Sequence, residues 1–365
     1  MISGNKGEWS EIYTLLKLLS DGKLTPGDEN INKLKGIFYP IVKILRTESN
    51  GSFEYSIHDD IVIISSDKEE LLRIPMEEFK IRSLYLFEKI KENKQNTFAV
   101  PEIESFMSEI KCISLKADSK TKSDIQIVIH DLRTNQQPTL GFSIKSQIGN
   151  PSTLLNPGKP TNFIFKVTGL NYTEDIKYIN SIFIKKGEKI SRDIKGRINE
   201  ILKRNGKLEF VKIENQIFGN NLALIDSLLP NILSEIVFDF YASKRSKLIE
   251  LVEHAQENNP LNFDLSNNHK FYSYKIKKLL TDIALGMTPT KVWTGEYHAT
   301  GGYLIVKNDG EIVCYHIYNK NEFENYLLNT TKLDTASTSR YEFGDLYIEK
   351  DTLYFKLNLQ IRFIK

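Results

Sequence analysis

Two short apolar runs constrain this chain more than any other feature. Ser123-Asp124-Ile125-Gln126-Ile127-Val128-Ile129-His130-Asp131 is a β-prone run with an acid at its mouth. Gly141-Phe142-Ser143-Ile144-Lys145-Ser146-Gln147 is a second run, with a lysine two residues after a serine. The connection Arg133–Thr139 between them is polar and turn-prone, so the runs read as neighbouring strands of one sheet. Side chains on a strand repeat every second residue, which puts Lys145 and Gln147 on one face. An acid opening one strand and an ammonium on the next can therefore converge on one point.

Composition narrows the class without naming it. A chain of 365 residues suits one large or two ordinary domains, and 40% apolar with 26% charged residues fits a globular protein with a sizeable core. The 49 basic and 47 acidic side chains nearly cancel to +2, so any polyanionic partner must be met by local patches rather than by bulk charge. Cys112 and Cys314 are far apart in apolar surroundings, without disulfide or zinc-ligand spacing. They read as core thiols in a reducing compartment. With no apolar signal region in Met1–Glu8 and no run of about 18 apolar residues, a cytoplasmic protein without a membrane span is expected.

In chain order, Gly7–Gly22 reads as a helix with Ile12, Leu15, Leu18 and Leu19 on its apolar face. Glu8 and Glu11 sit in its first turns, where acids also serve simply to offset the helix dipole. Strands are expected at Phe53–Ser65, helices at Pro75–Lys94 and Pro101–Ile110, and strand signals dominate from Ile113 through Val167. The basic run Ile184–Lys212 carries Ile190, Ile194, Ile198, Ile201 and Leu202 at helical spacing. It predicts an amphipathic helix whose positive face is either solvated or set against phosphates. Leu222–Ala255 reads as helical with a break at Pro230. The Asn-rich loop Asn258–Asn268 marks the expected boundary between residues 1–257 and 258–365. Beyond it come a helix at Phe271–Leu285, a hairpin around Asn308-Asp309-Gly310, a short helix at Glu322–Leu328, and strands at Leu346–Glu349 and Leu353–Phe355. The alternation argues for a mixed α+β or α/β architecture.

Phosphodiester hydrolysis at neutral pH needs a divalent cation and a group that positions or deprotonates water. Mg²⁺ takes oxygen ligands, commonly one or two carboxylates plus waters and substrate oxygens. Asp124 is such a ligand, and Lys145 could orient the water and stabilise developing charge. The pair resembles the PD-(D/E)XK nuclease core, in which an Asp opens one strand and a (D/E)-x-K tripeptide lies on the next. Here the tripeptide is Ser143-Ile144-Lys145, so its carboxylate is missing. In resolvase-like members of that superfamily an N-terminal helix opening Lys-Gly-x-x-x-Glu supplies the acid. Lys6-Gly7-Glu8-Trp9-Ser10-Glu11 matches that spacing, with Glu11 as first choice and Glu8 as second.

A closer likeness spans nearly the whole chain. The run Gly4–Leu24, the block Gly141–Gly149 with Ser152–Asn156 and Thr161–Phe163, and the tail blocks Gly301-Gly302-Tyr303, Cys314–Asn319 and Thr338-Ser339-Arg340 with Phe343-Gly344 resemble HpaII-type restriction endonucleases in the same order. The resemblance implies a PD-(D/E)XK-like core, a mixed central sheet flanked by helices, with a C-terminal α+β region that reads DNA. It implies a Mg²⁺-dependent type II enzyme cutting duplex DNA at CCGG between the two cytosines, within a restriction–modification system whose cytosine methyltransferase acts on the same site. Asp124 and Lys145 fall on the catalytic positions, with Glu11 as the further acid and metal ligand beside Asp124. Gln147 faces water or DNA, or caps the strand end. Thr153 and Asn156 are placed for the phosphate backbone, with a satisfied turn as the competing reading. Base reading is assigned to Arg340 with Ser339 and Thr338, and second to Lys291 beside Trp293. A palindromic site favours a homodimer. The rival readings are a structure-selective or repair nuclease on the same core, and a DNA-binding protein that no longer cuts.

Overall fold

The computed structural model describes residues 2–117 and 123–364, so residues 118–122 of the expected strand region lie outside it. The two runs do pair. Ile125–Ile129 lies antiparallel to Thr139–Ser146, with Ile125 opposite Phe142 and Ile127 opposite Leu140. They form the middle of a nine-stranded mixed sheet. On one side Gly302–Val306 adds in parallel to Thr139–Ser146 and is followed by Ile312–Tyr315, its antiparallel hairpin partner. On the other side the meander Tyr39–Glu48, Gly51–His58, Ile61–Ser66 and Glu69–Pro75 continues antiparallel, and Lys23–Leu24 pairs with its first strand.

The N-terminal helix Lys6–Asp21 lies across this sheet because its ends and one face are both determined by sequence. Asn5 accepts a hydrogen bond from the Glu8 amide at 3.1 Å while the Glu8 carboxylate accepts from the Asn5 amide at 2.8 Å, a reciprocal capping box. Gly22 ends the helix in the left-handed region at φ +65. Between the caps, Trp9, Ile12, Leu15, Leu16 and Leu19 are buried in one core with Phe142, Ile144, Ile125 and Ile127. The helix Met76–Glu92 packs beside it, also in that core.

A second core is built by residues 155–363. It joins the helices Gln216–Ile225, Leu229–Ala242, Leu248–Asn258 and Phe271–Leu285 to two smaller sheets. One runs in the order Lys207–Ile213, Asn162–Thr168, Thr352–Asn358, Leu346–Glu349. The other has three short strands, Thr331–Leu333, Ile361–Phe363 and Thr153–Leu155. Strands from beyond residue 258 thus complete sheets begun by the first 257 residues. Among the described residues no single helix is long and apolar enough to cross a membrane.

Two expectations need correction. The basic run is not one helix. Phe183–Lys186 and Lys189–Arg192 form a hairpin whose turn is eased by Gly187 at φ +61. Asp193 then caps a helix at Ile194–Lys203 by accepting from the Gly196 amide at 3.0 Å, and Lys207–Ile213 is a strand. Ile190 is accordingly exposed rather than part of an apolar stripe. Arg197 is fully buried instead of facing outward. It donates to the carbonyls of Ile182 (3.0 Å) and Gly344 (2.6 Å) and pairs with Asp345. In Leu222–Ala255 the break expected at Pro230 falls just before it, leaving Pro230 in the first turn of Leu229–Ala242, where its missing N–H costs nothing, and the correction is a second break at residues 243–247. Because Arg197 satisfies several carbonyls at once, Arg197→Ala is expected to lower stability by about 3–5 kcal/mol in urea unfolding, since each buried acceptor left without a donor costs about 1–3 kcal/mol. An outward-facing arginine would leave the midpoint nearly unchanged.

Candidate active site

Asp124 stands at the N-terminal mouth of its strand. Its amide donates to Phe142 O at 2.8 Å and its Oδ2 accepts from the Ile144 amide at 2.7 Å. This second bond ties the carboxylate to the strand that carries Lys145, one residue from the lysine. In the antiparallel register, Ile125 opposite Phe142 places Asp124 opposite Ser143, so Asp124, Ser143 and Lys145 share a face. Lys145 Nζ lies 5.2 Å from the centroid of the buried Tyr303 ring, a cation–π support from the adjoining parallel strand. Among the described residues no carboxylate pairs with Lys145, which leaves its ammonium available to a ligand.

Glu11 comes from the helix. Burial pushes its carboxyl up to about 8, the Asp124 charge adds to the rise, and Lys116 and Arg46 partly offset it. The Asp124 charge therefore acts on Glu11 in the same direction as burial. Glu8 has different work: its carboxylate closes the capping box and pairs with Lys116 at 3.3 Å. Helix and strand are pinned next to these acids by Ser10 Oγ, which donates to Ser146 Oγ at 2.9 Å.

Glu11 and Lys145 open on a polar cleft of about 740 Å³, lined also by Ile144, which holds the Asp124 carboxylate, and by Gln147, Lys116, Ser152 and Lys6 among others. Gln147 lies on the Lys145 face, and its amide extends the strand by donating to Val306 O at 2.8 Å. Asp124 and Glu11 offer hard oxygen donors in the number Mg²⁺ commonly takes from protein. Among the described residues no three His, Cys, Asp or Glu side chains converge, so waters and substrate oxygens would complete the shell.

The remaining sequence candidates lie elsewhere. Thr338, Ser339 and Arg340 form the short helix Thr338–Tyr341, with Ser339 and Arg340 exposed and Thr338 accepting from Arg192 Nη1 at 3.2 Å. Thr338 and Ser339 line a second cleft of about 900 Å³ with Lys195, Lys244 and Arg245. Thr153 opens the three-residue strand Thr153–Leu155 and is half-buried, and Asn156 follows it, exposed. Lys291 is exposed on a loop whose backbone is held by Asn221, and Trp293 beside it is buried in the second core. His316 is structural: burial, with the Arg133 charge adding to it, lowers its ring to about 4, and its Nδ1 accepts from the Tyr318 amide. Local patterning missed Ser10, Lys116 and Arg46. A serine one helical turn beyond Lys6 carries no local signal, and the two cations meet Glu11 only through tertiary packing.

Two acids and a lysine at the junction of a helix and a strand pair suit metal-assisted hydrolysis of a phosphodiester. The comparisons agree with a nuclease. The HpaII restriction endonuclease family model matches residues 5–363, and the chain belongs to that family; it is a restriction endonuclease and acts on double-stranded DNA. It is 50% identical over 364 residues, 99% of each chain, to the type II restriction enzyme HpaII of Haemophilus parainfluenzae. No solved structure matches.

The raised Glu11 carboxyl has a consequence for stability. Its folded-state value, about 8, exceeds the ordinary 4.5, so the folded state holds the proton more tightly and loses stability as pH rises from about 4.5 to about 8. In metal-free protein, Glu11→Gln should raise Tm by several degrees at pH 8 and by progressively less toward pH 4.5. A pH-independent change measured by calorimetry would show that Glu11 does not titrate this way.

Proposed function

We propose that this enzyme is a type II restriction endonuclease with a PD-(D/E)XK-like core that cuts CCGG between the two cytosines, leaving 5′-phosphates and 3′-hydroxyls. The specificity rests on the resemblance to HpaII-type enzymes and on the extent of identity to HpaII itself. The observation that supports the chemistry is the bond of Asp124 Oδ2 to the Ile144 amide, one residue from Lys145, with Glu11 and Lys145 lining one cleft.

Asp124 and Glu11 would hold Mg²⁺, and Glu11 takes the place of the carboxylate that Ser143 lacks. When bound, the ion offsets phosphate charge and acidifies water. Lys145, supported by the Tyr303 ring, directs its ammonium toward the cleft, where it orients the attacking water and stabilises charge on the phosphate. Gln147, one alternation further, contacts water or the DNA backbone. The Ile144 amide keeps the Asp124 carboxylate fixed against rotation.

Thr338, Ser339 and Arg340 are assigned to base reading in the major groove, where Arg pairs bidentately with guanine O6 and N7. Lys291 is the second candidate reader, and Thr153 and Asn156 meet the backbone. In this reading residues 1–257 carry the nuclease core, to which Gly302–Val306 and Ile312–Tyr315 add two strands, and 258–365 otherwise contribute recognition. A homodimer on the palindrome, protection by a cognate cytosine methyltransferase and a cytoplasmic location complete the proposal.

Plasmid DNA incubated with wild-type protein and Mg²⁺ should give ends that sequence to C/CGG. Asp124→Ala and Lys145→Ala should bind a CCGG duplex within a few-fold of wild type yet cut at least about 100-fold more slowly. Random ends would refute the specificity, and full cleavage by either variant would refute its catalytic assignment.

A further inference from the structure

The small three-stranded sheet holds an arrangement that folding alone does not explain. Thr153 is opposite Arg362 across a bulge, Arg362 is opposite Lys332, and Lys332 is bridged to Lys247 just beyond the sheet. Directly opposed residues project to the same face, so these four stand in one row. Residues adjoining Arg362, Lys332 and Lys247 in sequence, Ile361, Phe363, Thr331, Leu333 and Leu248, are buried, which turns the row outward.

Like charges opposed across a sheet repel and destabilise. Here three cations are consecutive. Arg362 is compensated by Asp334 at 3.3 Å and Lys247 by Glu250 at 3.2 Å, but Lys332, between them, has no acidic partner among the described residues. The ends of the row are fixed in place: the Phe363 amide donates to Ser152 O at 3.0 Å and the Leu333 amide donates to Ser246 O at 2.9 Å. Ser152 lines the cleft that holds Lys145, and Ser246 lines the second cleft with Thr338 and Ser339. With neighbouring strands about 4.8 Å apart, the row spans roughly 15 Å between the two clefts.

We propose that Thr153, Arg362, Lys332 and Lys247 form a track for the phosphate backbone of duplex DNA, running from the cleavage cleft to the cleft beside the Thr338–Arg340 helix. The inference rests on the reading of the protein as a CCGG endonuclease only in assigning what each cleft does. The track itself is sequence-independent. Neutralisation by phosphates removes the repulsion that the free protein carries.

The test is fluorescence anisotropy of metal-free protein on duplexes with and without CCGG over a salt series. Lys332→Gln combined with Lys247→Gln is expected to weaken both duplexes by the same factor, about 10- to 100-fold, and to reduce the slope of log K against log salt by about 2. The position of the cut should not change. Lys332→Arg should bind as wild type, and the DNA-free Lys332→Gln protein should melt no lower than wild type. Unchanged affinity and slope overturn the track, as does a loss confined to the CCGG duplex. A lower Tm in Lys332→Gln with failed rescue by Lys332→Arg makes the row structural and also overturns it. Wild-type protein that cuts elsewhere than CCGG, with the slope change intact, refutes the specificity and leaves the track standing.

Discussion

Burial works against the charge of Glu11 and the Asp124 charge adds to that penalty, and much of the surrounding architecture keeps both acids in place. Asp124 is fixed by the amide of Ile144 across the strand pair, while Glu11 is carried in on a helix whose apolar face has no other place to go. Burial and the neighbouring charge both act against ionisation of Glu11, so the fold holds the pair at a cost in stability. In the proposed reading a hard divalent cation would reverse that balance, because each added oxygen charge would then become favourable. In the same reading, stability is given up at this point for a preorganised site.

The helix succeeds as a carrier because its two acids are differentiated by position. Glu8 is at the third position of the capping box and is held by Asn5 and Lys116. Glu11, one turn further, has passed the cap and faces the strands. Ser10 joins the helix to Ser146 between the acid and the lysine, so a shift of the helix along the sheet would break that hydrogen bond as well as separate Glu11 from Asp124. The parallel addition of Gly302–Val306 supplies the other support, since it places Tyr303 beneath the ammonium of Lys145. Residues far apart in sequence thus act on one site through two adjoining strands.

What was legible in the sequence follows the range of the interactions. Alternation exposed the Ile125–Ile129 and Thr139–Ser146 pair, and caps exposed the helix Lys6–Asp21, because both are local patterns. The missing carboxylate could be sought at Glu11 only through the Lys-Gly-x-x-x-Glu resemblance; periodicity gave Glu8 equal standing. The hairpin Phe183–Arg192 was hidden because isoleucines spaced at four residues mimic a helical stripe, and Gly187 alone marks the turn. Burial of Arg197 was hidden for a different reason: its carbonyl partners at Asn180, Ile182 and Gly344 come from separate segments. The row Thr153–Arg362–Lys332–Lys247 depends on cross-strand register between segments about 200 residues apart in the chain, which no local pattern encodes.

The most direct test of the central claim compares Glu11→Gln with Glu8→Gln in single-turnover cleavage of a CCGG duplex with Mg²⁺. If Glu11 is the acid that stands in for the residue Ser143 lacks, Glu11→Gln should cut at least about 100-fold more slowly while Glu8→Gln, which keeps a side chain able to accept at the cap, stays within a few-fold of wild type. Near-normal cleavage by Glu11→Gln, or the larger loss in Glu8→Gln, would contradict it.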